Sequence, residues 1–427
     1  MSEPVSQIQQ DTKDRISMAR MLCVLGMVFV HVPDGLSGTP IYSFNTASLG
    51  FFLEGFLVEG PGRASAALLS IVSGYLMAMA LVRRGASVKG LYKKRFVSIV
   101  TPMVFWGALT CVVYLGVSLI RPTFLANANS VLDVLNFVLF LTEMPTGATM
   151  HLAFLRDLFV CILLSPVLLI AVQRMPWVLL PLLALFYLFS HDQNSIVILR
   201  PLILFAFTTG MLLAVRQVNL KALDQHCPVF IALAVVGTAL IMMVNGGAAA
   251  GLVDIFNAQG MDFKEVVLYP VSRLFGSLAI WTLIPIVMGG RFQALILKFS
   301  PYLFAAFCSH YLTLTVLYFG LWQPVFGDRS SPVFIVWFLA APVTAMAIAV
   351  CIVKIAAKVA PPLATMITGG RVRTPQVSSP IKDRQRQSWA LGTWAATVRL
   401  FDSLTHAPGA AIREWWAASR RLLLGRR

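Results

Sequence analysis

RISMARMLCVLGMVFVHVP, residues 15–33 of the chain, has the composition of a membrane-spanning helix. About 20 consecutive apolar residues cross the hydrocarbon core of a bilayer as a helix, and this run is close to that length. Two ionisable side chains, Arg20 and His31, interrupt it. Their separation of eleven residues corresponds to about three helical turns, so both side chains lie on one helix face, about 16 Å apart along the axis. The stretch therefore predicts a spanning helix with a cation near one end and a titratable base near the other.

The remainder of the 427-residue chain has the same apolar character. Hydrophobic residues make up 58% and charged residues 12%, whereas soluble domains contain about 45–50% and about 25%. This composition excludes soluble enzymes and disordered chains, and predicts an all-α integral membrane protein, a bundle of about ten transmembrane helices. The predicted spans are residues 16–33, 64–82, 97–119, 152–172, 177–190, 196–215, 228–244, 266–289, 301–321 and 332–355. Residues 131–142 are too short to cross and contain Asp133, so we expect an interfacial or re-entrant helix there.

The net charge of +16 would suggest nucleic acid as a partner, but the placement of the basic residues indicates a lipid bilayer instead. With a cytoplasmic N-terminus, thirteen basic residues fall in short inner segments and four in outer loops. This asymmetry predicts cytoplasmic N- and C-termini in the inner membrane, and no nucleic-acid partner.

Three regions follow from this topology. Residues 1–15 form a polar cytoplasmic segment, residues 16–358 the transmembrane domain, and residues 359–427 a basic cytoplasmic tail. The tail begins as a flexible Pro/Ser/Arg-rich linker. Its later Trp- and Leu-containing stretches suit amphipathic helices on an anionic leaflet, although a solvated tail without a specific partner is an equal alternative.

Ionisable side chains inside spans cost at least a few kcal/mol each and are functional candidates. The candidates are Arg20, His31, Arg156, Asp157, Arg200, Arg273 and His310. Each also has a structural explanation. Arg20 could extend to the inner headgroups, His31 could be interfacial, and His310 could be a hydrogen-bonded core residue. Arg200 and Arg273 could bind an anionic ligand. Alternatively, Asp157 or backbone carbonyls could be their partners. The spacing of His, Cys and acidic residues predicts no metal site.

Several motifs, in consistent order over residues 15–355, resemble the membrane acyltransferase type 3 family. Arg20 and His31 keep the family's Arg, ten residues, His spacing in the first helix. Ser73 begins a Ser-Gly-aromatic-Leu element, and Lys94 and Arg95 belong to a basic run that precedes a span. The later elements are HLAFLRDL (151–158), RPLILFAFTTGMLLA (200–214) and CSHYLTL (308–314). Three positions depart from the family pattern: Ser98 stands where a second arginine is common, Ala153 replaces a tryptophan, and His310 precedes Tyr311.

The resemblance implies O-acylation of a cell-envelope carbohydrate in the bacterial inner membrane. It implies cytoplasmic acyl-CoA as the donor co-substrate, no tightly bound cofactor, and a polysaccharide or lipid-linked oligosaccharide as acceptor. HVPDG (31–35) is most similar to the branch that succinylates exopolysaccharide.

Particular residues can be assigned to this chemistry. His31 is the expected base and acts with Arg20, because neutral imidazole titrates near the working pH. Arg95, Lys94, Ser73, Arg200, Arg273 and His310 are the expected substrate-binding residues. The alternative is a secondary transporter or exporter of an anionic or lipid-linked sugar, with Arg200 and Arg273 binding substrate and His31 relaying protons.

Overall fold

In a computed structural model of the chain, the structure describes residues 5–33, 49–82, 87–118, 131–139, 149–189, 199–246, 264–288 and 290–372. Within these ranges the regular secondary structure is entirely helical. The α-helices are α1 (Val5–Val30), α2 (Leu49–Leu57), α3 (Arg63–Val82), α4 (Val88–Arg95), α5 (Thr101–Ser118), α6 (Val131–Leu139), α7 (Ala153–Arg174), α8 (Pro176–Phe189), α9 (Pro201–Val215), α10 (Cys227–Asn245), α11 (Tyr269–Val287), α12 (Gly290–Phe299), α13 (Leu303–Leu317), α14 (Gln323–Phe326), α15 (Phe334–Val359) and α16 (Pro361–Ile367).

Seven helical segments in the described ranges are long and apolar enough to cross a membrane. They are Gly50–Val82, Val88–Val117, Met150–Arg174, Leu220–Asn245, Val266–Val287, Gly290–Phe326 and Phe334–Val359. The helices α8 and α9 are apolar but shorter. The first predicted span, on α1, is not among the seven, and we attribute this to the charged residues of its N-terminal half. The all-α membrane architecture is thus confirmed, while the count of ten spans and the cytoplasmic termini stay predictions.

Helix α1 lies in the interior of the bundle. It packs against α3, α11, α12, α13 and α15, and Met18, Ala19 and Cys23 have no exposed surface. Its N-terminal half is held by Arg15, which donates to both carboxylate oxygens of Asp224 and to the Trp281 carbonyl. The helix that carries Arg20 and His31 is therefore a core element of the fold.

Helices α3 and α9 cross at two glycines. A Cβ atom added at Gly74 would collide with the backbone carbonyl of Phe207, and one added at Gly210 would collide with that of Ile71. Because glycine has no side chain, the two backbones approach directly at this point. The glycine of the Ser-Gly-aromatic-Leu element therefore serves helix packing, and it fixes the position of the neighbouring Ser73.

Two predicted non-spanning segments contain short helices. Residues 131–139 of the expected interfacial segment form α6, whose Phe137 packs on Tyr114 of α5. The first residues after position 359, where the sequence predicts a linker, are helical. Residues 361–367 form α16, because prolines begin the helix and Ala364 and Ile367 are buried. Asp34 and Gly35 of HVPDG and the tail from residue 373 lie outside the described residues.

The α3–α9 crossing makes a stability prediction. Gly74→Ala should lower the unfolding temperature of the detergent-solubilised protein, since overpacking costs about 1–3 kcal/mol. Gly116→Ala on α5 is the matched control, because a Cβ there meets no atom within 4 Å. Equal unfolding temperatures for the two variants would contradict the assignment of Gly74 to a close backbone contact.

Candidate active site

A cavity of about 500 Å³ lies against the face of α1 that carries Arg20. Arg20, Arg95 and Arg371 contribute positive charge to its wall, and Ser17, Ser73 and Ser300 contribute hydroxyl groups. The remaining lining is mostly aliphatic and aromatic. No acidic residue lines the cavity among the residues that the structure describes. A partly apolar pocket of this size with three uncompensated cations suits an elongated ligand that carries negative charge.

The cavity brings together three residues that the sequence analysis selected separately. Arg20, Ser73 and Arg95 come from α1, α3 and α4. Lys94 is exposed and does not line the cavity, since adjacent helical residues point about 100° apart. Sequence reasoning missed Arg371, which lies beyond the motifs and within the predicted linker.

His31 lies in a cluster of three histidines. Its ring centroid is 6.0 Å from that of His151 and 5.6 Å from that of His310, and the latter two rings are 4.6 Å apart. The ring of Tyr311 lies 6.2 Å from His31 and stacks on His151 at 5.8 Å. The predicted base and the late histidine are therefore neighbours. His151, the first residue of HLAFLRDL, is a member that sequence reasoning did not select.

The hydrogen bonds define the protonation sites of two of these rings. His310 Nδ1 lies 2.7 Å from the Phe307 carbonyl, and His151 Nε2 lies 3.1 Å from the Cys308 carbonyl. A carbonyl only accepts, so each of these nitrogens carries the proton, and the other nitrogen of a neutral ring is an acceptor. Those acceptors, His310 Nε2 and His151 Nδ1, are buried and have no partner in the described part of the chain. The cluster therefore offers unused proton acceptors beside His31.

Phe307 connects the cavity to the histidine cluster. Its side chain lines the cavity, and its ring centroid is 6.0 Å from those of both His151 and His310. Its carbonyl is also the one that holds His310. An elongated ligand whose charged end lies at the arginines can therefore direct its other end toward the histidines.

Arg200 is not an unpaired cation. Its Nε donates to Asp157 Oδ2 at 2.7 Å, and Arg156 Nε donates to Oδ1 of the same carboxylate at 2.8 Å. Asp157 is fully buried. Its carboxylate pairs with two guanidiniums, and this pairing gives Arg156, Asp157 and Arg200 a structural role. Nη2 of Arg200 is buried and has no partner among the described residues.

Arg273 lies apart from the cavity. Its guanidinium carbon is 5.6 Å from the centre of the Tyr269 ring, a cation–π contact within α11. The structure thus gives Arg273 an aromatic neighbour and brings it to neither the cavity nor the histidine cluster.

Helices able to cross a membrane, a cationic cavity and a histidine cluster define a multi-pass membrane protein with an enzyme-like site. Residues 13–355 match the family described as an acyltransferase domain, and the chain belongs to this family, the membrane acyltransferases of type 3. The succinoglycan biosynthesis protein ExoH of Rhizobium meliloti (strain 1021) is 33% identical over 377 residues, which cover 84% of this chain and 92% of that relative. No solved structure matches the chain significantly.

The protein is therefore an acyltransferase that transfers a group other than an amino-acyl group. This membership selects the acyltransferase interpretation over the transporter alternative. The resemblance to this family is confirmed.

Proposed function

We propose that the protein is an O-acyltransferase that moves an acyl group from acyl-CoA to a hydroxyl of an exopolysaccharide or another envelope glycan at the bacterial inner membrane. The observation that carries this proposal is the single helix α1, which presents Arg20 to a cationic cavity and His31 to a histidine cluster. The similarity to a succinoglycan biosynthesis protein supports an exopolysaccharide acceptor.

The cavity suits acyl-CoA as the donor. Coenzyme A carries several phosphate charges, which guanidiniums bind through charge-assisted hydrogen bonds. Its pantetheine arm is long, and the apolar walls that continue past Arg20 to Phe307 provide a path for it. In this arrangement the phosphates lie at the end near Arg95 and Arg371, and the thioester lies toward His31. The donor is a co-substrate, and the proposal requires no tightly bound cofactor.

His31 suits the role of general base. A sugar hydroxyl is a poor nucleophile until a base removes its proton. In the proposed reaction His31 takes that proton as the hydroxyl oxygen attacks the thioester carbonyl. The carbon–sulfur bond then breaks, and the imidazolium returns the proton to the CoA thiolate. The products are an ester of the glycan and free CoA.

His151 and His310 position His31 in this scheme. Their protonated nitrogens are held by the backbone carbonyls of Cys308 and Phe307, so each ring presents a lone pair within the cluster. A lone pair of this kind can accept a hydrogen bond from the other N–H of His31, on the ring nitrogen that does not face the sugar hydroxyl, and this bond stabilises the imidazolium. The buried, largely apolar surroundings strengthen that interaction.

The first prediction of this proposal concerns the base. His31→Ala should lower acyl transfer by about 10²–10⁴-fold, the range typical of a lost general base, while the protein still inserts and remains monodisperse. His226→Ala is the matched control, since His226 is exposed outside the cluster. The measurement is transfer of labelled acyl groups from acyl-CoA to polysaccharide by membranes that contain each variant. Near-normal transfer by His31→Ala would exclude His31 as the base.

The second prediction concerns the donor. Arg20→Ala and Arg95→Ala should each weaken binding of CoA by roughly tenfold or more, because each removes a charged hydrogen-bond donor. Binding to the wild type should weaken as salt rises, since salt screens exposed charge pairs. Lys298→Ala, at an exposed position outside the cavity, is the control. Unchanged CoA affinity in both arginine variants would show that these cations serve only to orient the protein in the membrane.

The third prediction concerns the acyl group, which we infer to be dicarboxylic, as in succinyl-CoA. Burying the free carboxylate of such a group requires a cation, and Arg200 and Arg273 were the candidates. Arg200 has the stronger claim, because its buried Nη2 has no partner among the described residues, whereas Arg273 already lies over the Tyr269 ring. Arg200→Ala, and to a lesser extent Arg273→Ala, should therefore reduce succinyl transfer more than any acetyl transfer.

The matched control for the acyl-group prediction is Arg156→Ala, which breaks the other bond to Asp157 and leaves the Arg200 bond in place. Its ratio of succinyl to acetyl transfer should match that of the wild type. Mass spectrometry of polysaccharide from cells with and without the gene identifies the ester. If acetyl esters alone disappear with the gene, the succinyl inference is wrong and the acyltransferase proposal stands.

A further inference from the structure

The residues that follow the last spanning helix end in a turn that places Arg371 at the cavity. Helix α16 stops at a pair of glycines, Gly369 and Gly370, with φ angles of +59° and +75°. The Gly370 N–H donates to the Thr365 carbonyl at 2.8 Å and the Gly369 N–H to the Met366 carbonyl at 3.1 Å. This pattern is the Schellman motif, a common helix end that requires a left-handed residue. The direction of the chain at Arg371 is thus determined by local geometry.

The guanidinium of Arg371 is held on two sides. Nη1 donates to the carbonyls of Ser98 and Thr368, each at 3.0 Å, and the guanidinium carbon lies 3.7 Å from the centre of the Phe304 ring. Phe304 itself lines the cavity. A cation stacked on an aromatic ring and anchored to two carbonyls is fixed in orientation without being neutralised.

The fixed guanidinium retains unused hydrogen-bonding capacity. In the part of the chain that the structure describes, both of its hydrogen bonds use Nη1, and no carboxylate contacts it. Nε and Nη2 therefore remain for a ligand. The side chain is exposed yet lines the cavity, which places Arg371 at the opening of the cavity to solvent.

We propose that Arg371 is a phosphate-binding residue for the CoA part of the donor, at the mouth of the cavity. The inference rests on the proposed function, in which acyl-CoA enters this cavity. A guanidinium with two free nitrogens, Nε and Nη2, matches the geometry of a phosphate. Residue 371 also lies beyond the matched family domain, 13–355. The segment that follows the bundle thereby contributes directly to the donor site.

The test is calorimetric titration of the purified full-length protein with CoA and with pantetheine, which carries no phosphate. Arg371→Ala should weaken CoA binding by roughly tenfold and change pantetheine binding by less than about twofold, and it should reduce the salt dependence of CoA binding. Arg371→Lys keeps the charge and should fall between wild type and alanine. Lys358→Ala, an exposed basic residue on α15, removes the same charge away from the cavity and should bind CoA as the wild type does.

A pair of backbone variants separates placement of the guanidinium from general stability. A Cβ at Gly369 would meet the Ser98 carbonyl and Arg371 Nη1, whereas a Cβ at Gly370 meets no atom within 4 Å, although both positions have positive φ. Gly369→Ala should therefore weaken CoA binding more than Gly370→Ala at a comparable unfolding temperature.

The outcomes distinguish this inference from the function on which it rests. If the wild type binds CoA and Arg371→Ala binds it equally well, the role of Arg371 is wrong and the donor assignment stands. Equal losses for CoA and pantetheine would likewise overturn the phosphate assignment. If the wild type does not bind CoA, the proposed donor fails, and the role of Arg371 fails with it.

Discussion

A guanidinium inside an apolar helix bundle needs a counter-charge, an aromatic face or a ligand, and this requirement organises the protein. Away from the cavity, five arginines of the described ranges have carboxylate partners, and Arg273 lies over the Tyr269 ring. The pairs are Arg15 with Asp224, Arg63 with Glu59, Arg156 and Arg200 with Asp157, and Arg329 with Glu54. Arg20, Arg95 and Arg371 share one cavity, and none of them has a carboxylate partner in the described ranges. The absence of a carboxylate among these three cations is the physical basis of the proposal that a phosphorylated ligand binds there.

The central position of α1 follows from the same requirement. A helix with an arginine and a histidine on one face cannot present that face to lipid without a large cost. Burial among five other helices gives the face two different neighbours, a cavity at Arg20 and a histidine cluster at His31. Because the two sites lie on one rigid helix, their separation along it is set by the eleven-residue spacing. Spacing of this kind suits an enzyme whose donor is bound at one point and reacts at another.

The parts of this site that sequence could predict are those governed by local periodicity. Arg20 and His31 share a helix face because of the helical repeat, and no knowledge of packing is needed to see it. Contacts between distant segments carry no such signal, so the contact of His151 with His310 had to come from the structure. The structure was also needed to select Asp157 from the alternative partners that the sequence allowed for Arg200. The same limit applies to the fold, where composition predicts a helical membrane protein but not which helix lies in the interior.

Ser98 shows how packing can replace a residue that the motif lacks. The family resemblance predicts a second arginine three positions after Arg95, and the chain has a serine there. The Ser98 carbonyl instead accepts a hydrogen bond from Arg371, so a guanidinium lies beside that position after all. The electrostatic potential inside a cavity depends on the charges of its wall, whichever helix carries them. The glycine turn after α16 and the backbone carbonyl of residue 98 therefore act together to place a cation at the cavity, and the wall of the cavity includes a residue beyond those that the family motifs cover.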